Sequence, residues 1–112
     1  MKYDSLIRLD DLIDFIKNQR KEFDYCIYGK GSSDEATLRT LCVVGEYPEI
    51  TDDDEEVFPD YVQDNSLEFW FRDELLEDVV MNAVAQKSLV NNEEILGAIK
   101  YYNNNDDFMD IA

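Results

Sequence analysis

The chain has 112 residues, which is enough for one domain with one modest hydrophobic core. Hydrophobic residues make up 45% of it and the formal net charge is -17, so the chain should fold and carry a strongly negative surface. This charge opposes binding to nucleic acid or anionic membranes and favours a basic protein as partner.

The negative charge is concentrated in the second part of the sequence. Residues 1–45 contain 8 acids and 7 bases, whereas residues 46–112 contain 19 acids and 3 bases, so the net charges are -1 and -16. Because repulsion between like charges destabilises a compact state, this distribution predicts one acidic face that serves in binding.

The first residues and the two cysteines favour a cytoplasmic protein. MKYDSLIRLDD has an aspartate where a signal peptide needs an apolar run, and no apolar stretch is long enough to span a membrane. Cys26 and Cys42 lie in apolar, strand-like surroundings without CxxC or metal-ligand spacing. We expect buried, reduced thiols, with a disulfide as the alternative.

The first half of the chain predicts a helix followed by two strands. Apolar residues recur at helical spacing behind two aspartates, so a helix is expected over about residues 10–20. DYCIYGKG and TLRTLCVVGE are rich in β-branched and aromatic residues and are separated by polar ones, which predicts two strands. Residues 41–44 are apolar on both faces, so the second strand should be central and covered on each side.

The segment from residue 46 to residue 64 contains nine acids, no bases and two prolines, and is called the acidic segment below. Proline interrupts helices and interior strands, so a surface loop is expected here. In SLEFWF, which follows, Leu67, Phe69 and Phe71 alternate with Glu68 and Trp70. This alternation predicts a strand that turns Leu67, Phe69 and Phe71 toward the core.

Two helices are predicted at the end of the chain. An apolar stripe at helical spacing indicates an amphipathic helix over residues 73–86. A second helix should begin at Asn91, with Glu94 as its capping partner, and end at NNNDDF. The whole pattern favours an α+β fold, a single domain over residues 1–112 in which a small, mostly antiparallel sheet packs with about three helices.

The residue types argue against catalysis. The chain has no histidine, which excludes Ser-His-Asp and Cys-His arrangements and the usual zinc sites. It has no GxxxxGK[ST] or GxGxxG motif, and the acids in GKGSSDEA would repel a phosphate. A glycosidase-type carboxylate pair needs one acid in an apolar pocket, whereas the acids here cluster in a polar segment. We expect no enzymatic activity and no cofactor.

Calcium is the metal to consider, because Asp52, Asp54 and Glu56 alternate as in an EF-hand loop. The match fails at the sixth position, where Val57 replaces the glycine of the turn, and at the twelfth, where Gln63 replaces a bidentate glutamate. The pattern therefore predicts weak binding at most and no specific metal site.

The run from residue 52 to residue 56 points instead to charge used directly in binding. An extended chain advances about 3.3–3.6 Å per residue, close to the ~3.4 Å between phosphates along a nucleic-acid strand. A nuclease cleft lined with Lys and Arg would attract this run as it attracts its substrate. The alternative is a solvated surface loop without a partner.

Aromatic residues near the acids could anchor such a partner, or could equally belong to the core. Tyr47, Phe58, Tyr61 and Trp70 flank or follow the charges, and tyrosine and tryptophan suit a boundary between apolar and wet surroundings. The candidate partner-binding residues are an acid or an aromatic in or just after the acidic segment: Tyr47, Asp52, Asp53, Asp54, Glu55, Glu56, Asp60, Tyr61, Asp64 and Trp70.

Two further stretches are informative, EDVVMNAVAQKS at residues 77–88 and YYNNNDDF at residues 101–108. Together with the size and acidity, they resemble small bacterial immunity proteins of contact-dependent growth inhibition and related polymorphic toxin systems. The resemblance implies a cytoplasmic, non-catalytic protein that binds its cognate toxin domain, often a nuclease, and blocks the active site or a substrate-binding surface. The alternative function is a nucleic-acid mimic that inhibits a host DNA- or RNA-binding protein.

Overall fold

The structure, a computed structural model, describes residues 1–111. In chain order its elements are β1 (Ser5–Arg8), α1 (Leu9–Lys17), β2 (Cys26–Gly29), a 3-10 turn (Ser33–Glu35), β3 (Leu41–Gly45), β4 (Glu49–Ile50), β5 (Glu56–Val57), α2 (Asp60–Asp64), β6 (Glu68–Arg72), α3 (Asp73–Gln86) and α4 (Asn92–Asn105). Four strands form an antiparallel sheet in the order β1-β3-β2-β6, and β4 pairs with β5. The predicted α+β domain with a small antiparallel sheet is confirmed.

One face of the four-stranded sheet is covered by α1, α3 and α4, which also pack on one another. The apolar stripe of α1 meets the sheet side chains Ile27, Val44 and Phe71 in the main core. Complete burial of each such side chain contributes about 1.5–3 kcal/mol, so this layer supplies most of the hydrophobic stabilisation. Within residues 1–111, no helix combines the length and apolarity needed to cross a membrane.

The opposite face of the sheet is partly covered by the acidic segment. Val62 packs with Cys26, Tyr28 and Val43 in a second buried cluster, and four partly buried side chains lie against it, Tyr47, Phe58, Tyr61 and Leu67. The central position expected for β3, with material packed on each side, is confirmed. The apolar residues of the acidic segment therefore fasten it to the sheet while its charged residues remain outside.

The acidic segment has regular structure, contrary to the expected surface loop. Residues 49–50 and 56–57 pair as the β4–β5 hairpin, and residues 60–64 form α2. Pro59 comes immediately before α2. An amide at this position has no partner within the helix, so the helix loses no hydrogen bond when proline stands there. The prolines thus exclude one long helix or strand across the segment but still allow short elements between them.

The boundaries of the other elements follow the predictions closely, with one strand missed. Helix α3 covers residues 73–86 as expected, and Asn91 and Glu94 form the predicted capping box at the start of α4. Helix α1 ends at Lys17, three residues earlier than predicted. Strand β1 was not predicted because its four residues run directly into α1, which leaves no turn signal between the two.

The predicted facing of β6 is wrong at two positions because the strand contains an irregularity. Its pairing with β2 shifts register between Ile27 and Tyr28, which leaves Trp70 as an extra residue. Trp70 consequently turns toward the helices beside Phe71 and is only 5% exposed. Phe69, expected in the core, is 41% exposed, and its ring lies 5.9 Å from that of Tyr28.

Trp70 is packed against the backbone at Gly29, which makes this glycine sensitive to substitution. A Cβ atom at Gly29 would lie 2.3 Å from the Trp70 indole, so Gly29→Ala should lower the free energy of unfolding by about 1–3 kcal/mol through overpacking. Urea titration measures the change. Gly97→Ala is the control, because its nearest atom would be 3.9 Å away and alanine favours a helix by up to about 1 kcal/mol. Wild-type stability in Gly29→Ala would contradict this packing.

The two cysteines are free and buried, which confirms the predicted reduced thiols. Burial raises the pKa of the Cys42 thiol to about 12. Burial, together with the Asp73 carboxylate, raises the pKa of Cys26 to about 11. Both side chains are packed inside the protein, Cys42 in the main core and Cys26 in the second buried cluster.

Candidate partner-binding surface

The nine carboxylates of the acidic segment have no counter-charge within the described chain. Every ion pair among residues 1–111 uses a carboxylate elsewhere, as in the pairs of Lys21 with Asp73 and of Lys87 with Glu94. None of the nine accepts a hydrogen bond from another described residue either. The largest concentration of charge in the protein therefore remains open to an outside partner.

Five of these acids, Asp52, Asp53, Asp54, Glu55 and Glu56, form an acidic tip at the end of the β4–β5 hairpin. All five are exposed. Thr51 organises the turn, because its amide donates to the Glu55 carbonyl at 2.9 Å and its hydroxyl accepts from the Glu55 amide at 3.1 Å. Asp54 adopts a left-handed φ of 60° within the turn.

The turn changes the expected charge geometry. An extended run would have spaced its charges along a line, as phosphates are spaced along a nucleic-acid strand. The hairpin instead turns the chain back within residues 52–56 and places these acids together at its tip. The five charges are therefore not spaced along a line as phosphates are, whereas the high local charge, which the comparison concerned, remains.

A pocket of about 420 Å³ lies beside the hairpin and is called the aromatic-walled pocket below. Its lining combines carboxylates with aromatic and apolar groups: Asp4, Glu46, Tyr47, Glu49, Val57, Phe58, Pro59, Asp60 and Tyr61. Glu49 pairs opposite Val57 in the hairpin, so the two side chains share the face that lines the pocket. No lysine or arginine lines it.

The walls of the aromatic-walled pocket are held by contacts to the sheet. The ring of Phe58 stands edge-on to that of buried Tyr28, with centroids 6.1 Å apart. The Tyr28 hydroxyl donates to the backbone carbonyl of Glu46 at 2.7 Å. The Asp4 amide donates to the Val44 carbonyl at 2.7 Å, which brings the start of the chain to the pocket. These contacts fix the wall positions before any partner arrives.

Tyr47 connects the pocket to a buried carboxylate, because its hydroxyl donates to Asp73. Asp73 is fully buried and also accepts from the Tyr25 amide at 3.1 Å, the Glu74 amide at 2.7 Å and the Lys21 ammonium at 3.0 Å. Burial alone would raise the pKa of this carboxyl, but the hydrogen bonds from Tyr47, Lys21 and the two amides outweigh it and hold the pKa below its ordinary value.

The Tyr47 hydroxyl should contribute measurably to stability. In Tyr47→Phe the ring stays in the pocket wall while Asp73 loses one of its four donors, so the free energy of unfolding should fall by about 1.5 kcal/mol. Tyr101→Phe is the matched control, since Tyr101 is exposed and its hydroxyl has no partner among residues 1–111. Equal urea midpoints for the two variants would show that the bond to Asp73 contributes nothing.

The structure separates the predicted partner-binding residues into three groups. The five acids of the acidic tip lie together and exposed, and Tyr47, Asp60 and Tyr61 line the adjacent pocket. Asp64 is exposed at the end of α2, outside the pocket. Trp70 is buried in the main core, because the irregularity in β6 turns it inward, so it cannot contact a partner and is removed from the candidate surface.

Four acidic or aromatic residues of the pocket lining were not among the ten candidate partner-binding residues: Asp4, Glu46, Glu49 and Phe58. The last three belong to the acidic segment, so the alternation of acids with aromatics there was the signal for them. Asp4 reaches the pocket only through the pairing of β1 with β3. Because β1 itself was missed, no local pattern could have placed Asp4 at this site.

The residue types of this surface suit contact with positively charged groups. Among residues 1–111, no group of three or more Asp, Glu or Cys side chains is placed to hold a metal ion. The tip offers exposed carboxylates, and the pocket adds aromatic rings, which bind cations through their faces. The arrangement suits an extended cationic surface better than a single small ion.

These features define an acidic α+β protein with a preformed, negatively charged surface along one segment. The chain belongs to the family described as a domain of unknown function, DUF7716, whose model matches residues 6–111. No curated protein and no solved structure matches the chain. The family thus covers nearly the whole sequence, the acidic segment included.

Proposed function

We propose that this protein is an immunity protein, which binds a basic toxin domain, most simply a nuclease, and occupies its active site or substrate-binding surface. The observation that carries the proposal is the set of nine carboxylates without a counter-charge on one structured segment. Such a concentration of charge opposes folding through self-repulsion, and a cationic partner relieves that repulsion.

The acidic tip and the pocket would contribute in different ways. Residues 52–56 are exposed and would accelerate the encounter with a basic surface by long-range attraction, which salt screens. The pocket aromatics Tyr47 and Tyr61 would supply packed contacts that slow dissociation. Because the segment is fastened to the sheet through Val62 and its aromatics, little ordering entropy would be lost on binding.

The resemblance to immunity proteins supports the proposal at the level of the whole chain. Its two stretches lie in α3 and α4, where Val79, Val80 and Ala83 are buried against the sheet. Those stretches are therefore part of the scaffold of this chain, and the acidic segment is where the partner would bind. The nucleic-acid mimic is less favoured, since the hairpin does not space its charges as a phosphate backbone does.

Protection of growth tests the proposal. A toxin domain encoded beside the gene of this protein would be expressed in bacteria with and without the chain. We expect the chain to restore growth, and a variant with neutral amides at residues 52–56 to protect less well at the same protein level. Unrelieved toxicity in the presence of soluble, folded chain would overturn the proposal.

A further inference from the structure

We infer that the aromatic-walled pocket receives one arginine side chain of the partner, an inference that rests on the proposed function and specifies its ligand chemistry. Four acidic residues line the pocket, Asp4, Glu46, Glu49 and Asp60, and no lining residue is basic. A positively charged side chain is complementary to such a lining. An anionic or neutral side chain would leave the negative charge of the lining uncompensated.

The aromatic walls distinguish the pocket from an ordinary patch of surface acids. Three aromatic residues, Tyr47, Phe58 and Tyr61, line the same pocket. A guanidinium is planar and weakly hydrated, so it stacks on a ring face while its edge donates to carboxylates. A lysine ammonium is a strongly hydrated point charge and would use the carboxylates without the stacking.

The arrangement of donors and acceptors also favours arginine. The four acidic residues come from separate parts of the chain: the residue before β1, the residue after β3, the hairpin and the start of α2. Arginine has five donors in a fixed fork, which lets one side chain address several acceptors around a pocket. A metal ion needs its ligands gathered closely, and residues 1–111 contain no such group.

The pocket is built before the partner binds, which reduces the cost of filling it. Phe58 stands against buried Tyr28, Glu46 is held by the Tyr28 hydroxyl, and Tyr47 is held by Asp73. Each of these anchors is on the sheet or at the start of α3, inside the folded core. An entering side chain therefore meets fixed walls, the condition under which weak contacts yield measurable affinity.

Nuclear magnetic resonance titration of the full chain tests the inference with three blocked amino acids as probes: N-acetyl-arginine methylamide, its lysine equivalent and its citrulline equivalent. Citrulline has nearly the shape of arginine without the charge. We expect arginine to shift the amide signals of residues 46–49 and 57–61 saturably. Lysine should bind about threefold or more weakly because its ammonium is more strongly hydrated and has no planar face to stack on a ring, and citrulline should leave these signals unchanged.

Two variants of equal charge change locate the binding. Glu46→Gln with Asp60→Asn alters the pocket, and Asp52→Asn with Glu55→Gln alters the acidic tip. The pocket pair should weaken arginine binding about tenfold, as expected for lost charge-assisted hydrogen bonds, and the tip pair by less than about twofold, as expected for screened exposed charges. Equal weakening by both pairs, in variants with native spectra, would overturn the inference.

The outcomes for the pocket and for the proposed function are separable. Growth protection by the chain, combined with arginine signals that move away from the pocket or not at all, would overturn the inference and leave the immunity function standing. Saturable arginine binding in the pocket without any growth protection would overturn the immunity function. Protection that falls when Glu46 and Asp60 are made neutral, with arginine binding lost in parallel, supports both.

Discussion

Replacing Asp73 by alanine should lower the free energy of unfolding by about 3 kcal/mol, the lower end of the range for removing one partner of a buried ion pair. The variant leaves the Tyr25 amide, the Tyr47 hydroxyl and the Lys21 ammonium without their shared acceptor. The lower end applies because Lys21 is partly exposed and regains water. Urea titration followed by circular dichroism measures the change.

Asp78→Ala is the control for Asp73→Ala, since Asp78 lies on the same helix but is exposed and has no partner among residues 1–111. We expect it to change stability by less than about 0.5 kcal/mol. If the two variants unfold at the same urea concentration, Asp73 does not organise this part of the structure.

The contribution of Asp73 should also depend on pH in one direction. Its folded pKa is held below the ordinary value of about 3.9, so the stability it contributes is present above that pH. As pH falls from about 5 toward the folded pKa, the unfolded chain binds the proton first and this stability is lost. The difference in unfolding free energy between wild type and Asp73→Asn should therefore shrink in acid; a constant or growing difference would contradict the assignment.

Neutralising the acidic tip should slow association with the toxin domain by about 10- to 100-fold at low ionic strength, because electrostatic steering accelerates encounters by such factors. The variant replaces Asp52, Asp53 and Asp54 by asparagine and Glu55 and Glu56 by glutamine, side chains that are all exposed. The dissociation rate should change much less, and the association rates of variant and wild type should converge at high salt. Surface plasmon resonance over a range of salt concentrations measures both rates.

A second variant separates the position of the charges from their number. It neutralises three aspartates and two glutamates that are exposed outside the acidic segment: Asp11, Asp78, Asp110, Glu35 and Glu93. Both variants lose five negative charges, so a general effect of net charge would slow them equally. We expect the second variant to associate at close to the wild-type rate. Equal slowing would remove the special role of the tip.

The acidic segment links fold and proposed function. Its apolar members, with Val62 the most buried, cover the second face of the sheet, and its charged members stay in solvent. The same residues that complete the domain thereby hold the carboxylates in place. A partner would meet a rigid surface and not a loose loop, which is why Tyr47 matters to both stability and the pocket wall.

Sequence periodicity predicted the parts of the fold whose signals are local. Helix α3 follows from its apolar stripe, and the start of α4 follows from the capping pair Asn91 and Glu94, which lie three residues apart. The α+β class followed from the alternation of such helices with strand-like runs. In each case the contacts that determine the element join residues close in sequence, so the composition and spacing of those residues are enough to predict it.

The features that were missed depend on contacts between distant residues. The inward turn of Trp70 depends on the register shift against β2, about forty residues earlier, and the bond from Tyr47 to Asp73 depends on how the acidic segment folds over the sheet. Asp4 enters the pocket through pairing of β1 with β3. Charge identified the acidic segment as the candidate binding surface, whereas only the fold assembled the pocket beside it.

The measurement that tests the proposed function most directly is a pull-down with the full chain as bait, washed at low and at high salt. We predict one tight, basic partner with a toxic domain, retained through the wash by its packed contacts and captured more slowly as salt rises. Its toxicity should be suppressed by this chain, and less completely by the tip-neutralised variant at equal concentration. Several weakly held basic proteins that all leave at high salt, or no partner at all, would contradict the immunity function.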